Sequence, residues 1–171
     1  MLKTLVLGLG NPILTDDGVG IHVVRALAKQ LNRPDVQVAE ASLGGLRLLD
    51  MAVGYDRLVL VDAIQAEGRA GQVYRLGPND LRSSLHAASS HDLSLPAALE
   101  LGRRLGLALP EDGAITIVAV EVEDVLTFGE VCTSQVQAAI PRAVQMVMHV
   151  LSDRSPDEKS AGQMTGTWQA E

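Results

Sequence analysis

Three residues carry types and settings that could do chemistry: Asp17, Asp62 and His91. Asp62 interrupts the apolar run Leu58 to Ile64 (LVLVDAI). A carboxylate in such a run has to be hydrogen-bonded, ion-paired or metal-bound, because desolvating it alone is too costly. Asp17 closes the glycine-punctuated loop GLGNPILTDD, and His91 lies in the polar segment SSHDLSL. Asp92, beside His91, could orient the imidazole or cap the helix that follows. Two carboxylates and one imidazole form a mixed donor set that borderline divalent cations accept. No thiolate joins them, which argues against a permanent structural zinc, and three protein donors leave coordination positions open for substrate or water. Each residue also has a plainer reading. Asp62 could cap a neighbouring turn, His91 could be an ordinary polar surface residue, and the acids near Asp17 could serve a helix start.

The segment Gly8 to Gly20 (GLGNPILTDDGVG) admits two readings. Gly8 and Gly10 follow a strand and precede a helix, and Glu40 ends the next strand, where a ribose-binding acid of a dinucleotide fold would sit. Ile13, however, occupies the third glycine position. Asp16 and Asp17 would meet a pyrophosphate at the helix N-terminus and repel it, which argues against a dinucleotide-binding function. In the second reading Thr15 or Asp16 is the N-cap and an acid in the first turn suits the helix dipole. That accounts for one acid; a second, adjacent one adds repulsion and makes a nearby cation plausible.

Other nucleophiles are poorly supported. Ser89 and Ser90 flank His91, but no G-x-S-x-G elbow accompanies them. Cys132 lies in EVCTSQ with no base nearby in sequence, and reads as a small buried residue.

The elements that must position these groups alternate between strand and helix. Lys3 to Gly10 reads as a strand buried on both faces, Gly18 to Leu31 as an amphipathic helix, and Val36 to Glu40 as a second strand. Gly44 and Gly45 open a short helix, and Leu58 to Ile64 is the clearest buried strand. Gln72 to Leu76 reads as an edge strand, Leu85 to Asp92 as a polar loop, and Leu93 to Leu105 as a helix that tolerates Pro96 in its first turn. Ala114 to Val122 is a further buried strand, and Ser134 to Leu151 a helix that Pro141, inside the pattern, should kink. This order implies an α/β fold, a mostly parallel sheet sandwiched between helices, with working groups at the carboxyl ends of the strands. Residues 1–151 are expected to form one domain. From Ser152 the polar composition predicts a mobile tail over residues 152–171.

Charge and composition limit the partners. Fourteen Lys and Arg stand against 21 Asp and Glu, a net charge of −7, which argues against a phosphate-rich partner such as nucleic acid. A single cysteine fits a reducing compartment, and no apolar stretch is long enough to span a bilayer, so a cytoplasmic protein without a membrane segment is expected.

The residues singled out above also carry a family resemblance. The chain from about Leu5 to Leu151 resembles the NiFe-hydrogenase maturation endopeptidases. LVLGLGNPILTDDGVG looks like the family's opening signature, LVLVDAI places Asp62 on its second metal-ligand position, and SSHDLSL places His91 on its third. Asp17 falls on the first. One segment departs from the pattern: after the second strand the family's acid and Gly-Thr-rich turn is replaced by Glu40, Ala41, Ser42, Leu43, Gly44 and Gly45, without the threonine. The resemblance implies a three-layer α/β/α sandwich around a twisted sheet of about five strands. It also implies an endopeptidase, acting as a monomer, that trims the C-terminal extension of the NiFe-hydrogenase large-subunit precursor after nickel insertion. Asp17, Asp62 and His91 would then read nickel supplied by the substrate, with no metal permanently bound, and the chemistry is also described as aspartic. A metal-sensing assembly chaperone would use the same three residues without cleavage. Peptidyl-tRNA hydrolase shares the GLGNP strand end, but this chain is acidic and His22 lies within the helix instead of just after that loop.

Overall fold

The computed structural model describes residues 2–42, 46–83 and 95–153. His91, with the loop Leu85 to Asp92, lies outside them, as do residues 43–45 and 154–171. The strands are β1 (Thr4–Leu9), β2 (Val36–Ala41), β3 (Arg57–Ile64), β4 (Val73–Leu76) and β5 (Ile115–Glu121). The helices are α1 (Val19–Ala28), α2 (Leu46–Ala52), α3 (Pro78–Ser83), α4 (Leu95–Arg104) and α5 (Ser134–Ser152). The strands form one sheet in the order β2-β1-β3-β5-β4. All neighbours run parallel except β4, which pairs antiparallel with β5 and forms one edge.

The alternation within each strand decides which layer it feeds, because successive side chains point to opposite faces. Val6, Val59, Val61, Val118 and Val120 face one way and join Val19, Val23, Val24 and Leu27 of α1 and Val136, Ala143, Val147 and Val150 of α5. Leu5, Leu7, Leu58, Leu60, Ile115 and Ile117 face the other way, onto Leu48 and Leu49 of α2 and Ala98 and Leu99 of α4. The sheet thus has a valine face and a leucine–isoleucine face, and each fully buried side chain contributes about 1.5–3 kcal/mol. This is the three-layer α/β/α sandwich with a five-stranded, mostly parallel sheet that the alternating elements imply.

Two local details differ from the sequence reading. Helix α1 starts at Val19, after a 3-10 turn over Thr15–Gly18. Helix α5, with Pro141 inside it, continues one residue further than expected and includes Ser152. Asp153, just beyond it, forms an ion pair with Arg75 at 2.7 Å and accepts a hydrogen bond from Arg57 through its carbonyl. The fixed part of the chain therefore reaches past Leu151, because Arg57 of the central strand β3 and Arg75 of the edge strand β4 hold its end to the sheet. No described helix is long and apolar enough to cross a membrane.

Candidate active site

Glycines at the end of β1 determine where the first loop goes. A Cβ on Gly20 would lie 2.3 Å from the carbonyl oxygens of both Leu9 and Val61. Only a hydrogen fits there, so the first turn of α1 sits directly against the ends of β1 and β3. Gly10 adopts φ +130°, and a Cβ on it would lie 1.8 Å from the carbonyl oxygen of Asp17. The glycines that superficially suit a phosphate loop thus serve a backbone close approach. Their consequence is that Asp17 is folded back over the sheet end, where its Oδ2 accepts the Asn11 amide at 2.8 Å.

Asp62 follows Val61 on β3 and pairs in register with Ala119 of β5. It is half-buried, and its Oδ1 accepts the amide of its own neighbour Ala63 at 2.8 Å. The protein packed around the carboxyl pushes its pKa up to about 7, the charge of Asp17 pushes the same way, and the Ala63 amide opposes them. The charge of Asp17 is thus felt at the Asp62 carboxyl, where it adds to the effect of burial. Among the described residues neither is in an ion pair with Lys, Arg or His. Nor does any group of three His, Cys, Asp or Glu among them lie together as a metal site; His91, the third expected donor, lies outside the described residues.

The adjacent acid, Asp16, has a different task from the helix N-cap expected of it. No side-chain cap is made at α1, whose N-cap residue is Gly18. Asp16 is fully buried and reaches across to the segment that links β5 and α5. Its Oδ1 accepts the Thr133 amide at 2.7 Å, and its Oδ2 accepts the Thr133 hydroxyl at 3.0 Å and the amides of Asp124 and Glu123 at 3.1 and 3.3 Å. Thr15 beside it is held at φ +40°. Its hydroxyl donates to the Thr127 carbonyl at 2.6 Å and its amide to that of Gly129 at 2.9 Å, which offsets the strained backbone. The loop carrying Asp17 is in this way locked to residues 123–133. Sequence spacing gave no sign of this, since the partners lie more than a hundred residues away.

Cys132 is buried, and its thiol donates weakly to the Thr15 carbonyl at 3.6 Å. Burial, and then the charge of Asp16, push the thiol up to about 11. It stays protonated at neutral pH and is a poor nucleophile, in keeping with its reading as a small buried residue.

At the end of β2, Glu40 accepts both arms of Arg25, Nε to Oε1 and Nη2 to Oε2, each at 2.8 Å. That bidentate bond holds the Glu40 carboxyl below its ordinary range. Beside them His22 keeps its Nε2 buried and without a hydrogen bond among the described residues, and burial, helped by Arg25, lowers its pKa. Glu40, Ala41, Ser42, Arg47, Asp50 and Met51 line a shallow depression of about 460 Å3. In strand order it lies next to the ends of β1 and β3, where Asp17 and Asp62 sit.

Comparisons with known proteins agree with this architecture. The family model described as HycI, hydrogenase maturation protease, matches residues 21–150. The chain is 30% identical over 155 residues to the hydrogenase 2 maturation protease of Escherichia coli K12, covering 89% of this chain and 92% of that protein. It is 27% identical over 157 residues to the hydrogenase expression/formation protein HupD of Rhizobium leguminosarum bv. viciae, covering 87% of this chain and 74% of that one. Among solved structures, the hydrogenase maturating endopeptidase HybD from E. coli superposes with a TM-score of 0.74 at 28% identity and 94% coverage of both chains. With a matching family model over most of its length and a matching fold, this chain belongs to the hydrogenase maturation proteases.

Proposed function

We propose that this protease removes the C-terminal extension of a NiFe-hydrogenase large-subunit precursor once nickel is in place, and that Asp17, Asp62 and His91 recognise the nickel within that substrate. The observation that carries the reading is the pair Asp17 and Asp62. Two carboxylates share one rim without a cationic partner among the described residues, and burial, with a smaller push from the charge of Asp17, raises Asp62 to about 7. Such a pair gains most from a cation brought to it. Two carboxylates and an imidazole at an open rim hold a free ion weakly, whereas an ion already bound in the precursor can accept them as additional ligands. Nickel then belongs to the substrate, and the protease keeps no resident metal.

Docking through the ion would bring the extension into register with the rim, so that a water molecule can attack the scissile carbonyl. The depression beside Glu40 and Arg47 is a place for the peptide to lie. The chain acts as a monomer in the cytoplasm, the compartment that suits its lone thiol.

The test is to mix the purified protein with nickel-free and with nickel-loaded precursor and follow the precursor's mass. Cleavage of the loaded form alone is expected. Equal cleavage of both forms would refute nickel recognition, and a stable complex with the loaded form without cleavage would indicate an assembly chaperone.

A further inference from the structure

The segments stapled together by Asp16 and Thr15 present an apolar surface to solvent. Leu126 is 84% exposed, Phe128 80%, Val131 67% and Ile13 48%. Exposed apolar residues scattered singly are ordinary, but clustered ones mark contact surfaces. These four sit on two backbone segments joined directly: the Gly129 amide donates to the Ile13 carbonyl at 3.0 Å, and the Thr15 amide to the Gly129 carbonyl at 2.9 Å. Phe128 is also the sole phenylalanine in a chain with 2% aromatic residues. A core short of aromatic volume would have used it, yet it stands in water at the tip of a loop.

The loop is not loose. Asp124 accepts the amides of Leu126 and Thr127 at 3.2 and 2.9 Å, and Asp16 fixes both of its ends. The apolar side chains are thus held out at low further cost in ordering entropy, the preorganised condition that favours binding. The surface is also continuous with the candidate active site, because Ile13 and Asp17 belong to the same short loop.

Its charge narrows the occupant. Residues 11–17 and 123–133 carry Asp16, Asp17, Glu123, Asp124 and Glu130, and no Lys or Arg. Glu123 and Glu130 are exposed. A second copy of this chain, itself at −7, would bring acid against acid. The complementary partner offers an apolar patch edged with basic side chains.

We propose that Ile13, Leu126, Phe128 and Val131 form the docking surface for the hydrogenase large-subunit precursor, which meets it with an apolar patch bordered by Lys or Arg. This rests on the function proposed above and adds to it a contact away from the metal-reading residues. The surface supplies affinity, and the carboxylates at the rim read the ion.

The experiment compares the full-length wild type with Leu126→Ser/Phe128→Ser on nickel-loaded precursor, measuring binding by interferometry and cleavage by mass. The two positions are exposed, so the double variant should keep the wild-type melting temperature. Its Kd and KM should rise about tenfold or more, with kcat within about twofold. Should the double variant fold poorly, Glu123→Lys/Glu130→Lys provides the second reading and should slow association with the precursor about tenfold or more at low salt. Unchanged Kd and KM in a folded variant would overturn the docking surface while leaving the proposed function intact. A wild type that binds the precursor without cleaving it would remove the proposed function, and loss of that binding in the variant would still support the surface. A wild type that neither binds nor cleaves, or a self-associated wild type that the same substitutions render monomeric, would overturn the docking proposal.

Discussion

Asp16 and Thr133, 117 positions apart, are joined by two hydrogen bonds, with the Thr133 amide donating to Oδ1 and its hydroxyl to Oδ2. The same carboxylate takes two further amides. Its neighbour Asp17 takes one, from Asn11. Two adjacent aspartates thus divide the work: one builds the loop and the other is presented by it.

That division can be measured. Asp16→Ala leaves buried donors without their acceptor and should destabilise the fold by about 2–4 kcal/mol in urea denaturation. Asp17→Asn should stay within about 1 kcal/mol of wild type while losing precursor processing. Equal stability losses at both positions would contradict the assignment.

Asp62 should make stability depend on pH in a defined direction. Folding raises its carboxyl from the ordinary value near 4 to about 7, so the native state holds the proton more tightly than the unfolded chain. The stability this contributes is complete below about pH 4 and is lost as pH rises through about 7. Asn has no such proton, and its side-chain oxygen can still accept the Ala63 amide. Asp62→Asn should therefore gain on wild type by about 1–3 kcal/mol between pH 5 and pH 8, while processing is abolished. A constant difference across that range would show that Asp62 does not titrate as described.

Gly20 should tolerate no side chain. A Cβ would strike the carbonyl oxygens of Leu9 and Val61 at 2.3 Å, and backbone atoms cannot turn aside. Gly20→Ala should cost about 2–3 kcal/mol, measured as a fall in urea midpoint, and should displace Asp17 enough to reduce processing. Gly113→Ala, where nothing lies within 4 Å of the added carbon, is the control and should be nearly neutral.

Cys132 should be dispensable for cleavage. Its thiol is pushed up to about 11, so almost no thiolate exists at neutral pH. Cys132→Ala should process precursor within about twofold of wild type, and the native protein should resist iodoacetamide. Loss of cleavage in a folded Cys132→Ala would reopen a thiol mechanism.

The sequence alone determined the layers of this protein. Runs such as LVLGL in β1 and LVLV in β3 can only be buried on both faces, and α1 and α5 repeat their apolar residues at helical spacing. The strand-end rule directed attention to Asp17 and Asp62, since a carboxylate after a buried run is costly unless it has work to do. What residue chemistry alone could not decide, although the family resemblance singled out Asp17, was which of two adjacent acids is structural. Neither helix periodicity nor capping preference separates Asp16 from Asp17, because their difference lies in partners at residues 123–133. The glycines posed the same problem: Gly8 and Gly10 spell a phosphate loop in one dimension, and only the crossing of α1 over β1 and β3 reveals a steric need. Hydrophobic pattern is local and repeats along the chain, so it is legible in one dimension. A hydrogen-bonded staple or a backbone close approach depends on where distant segments come to rest, which only the packed tertiary structure decides.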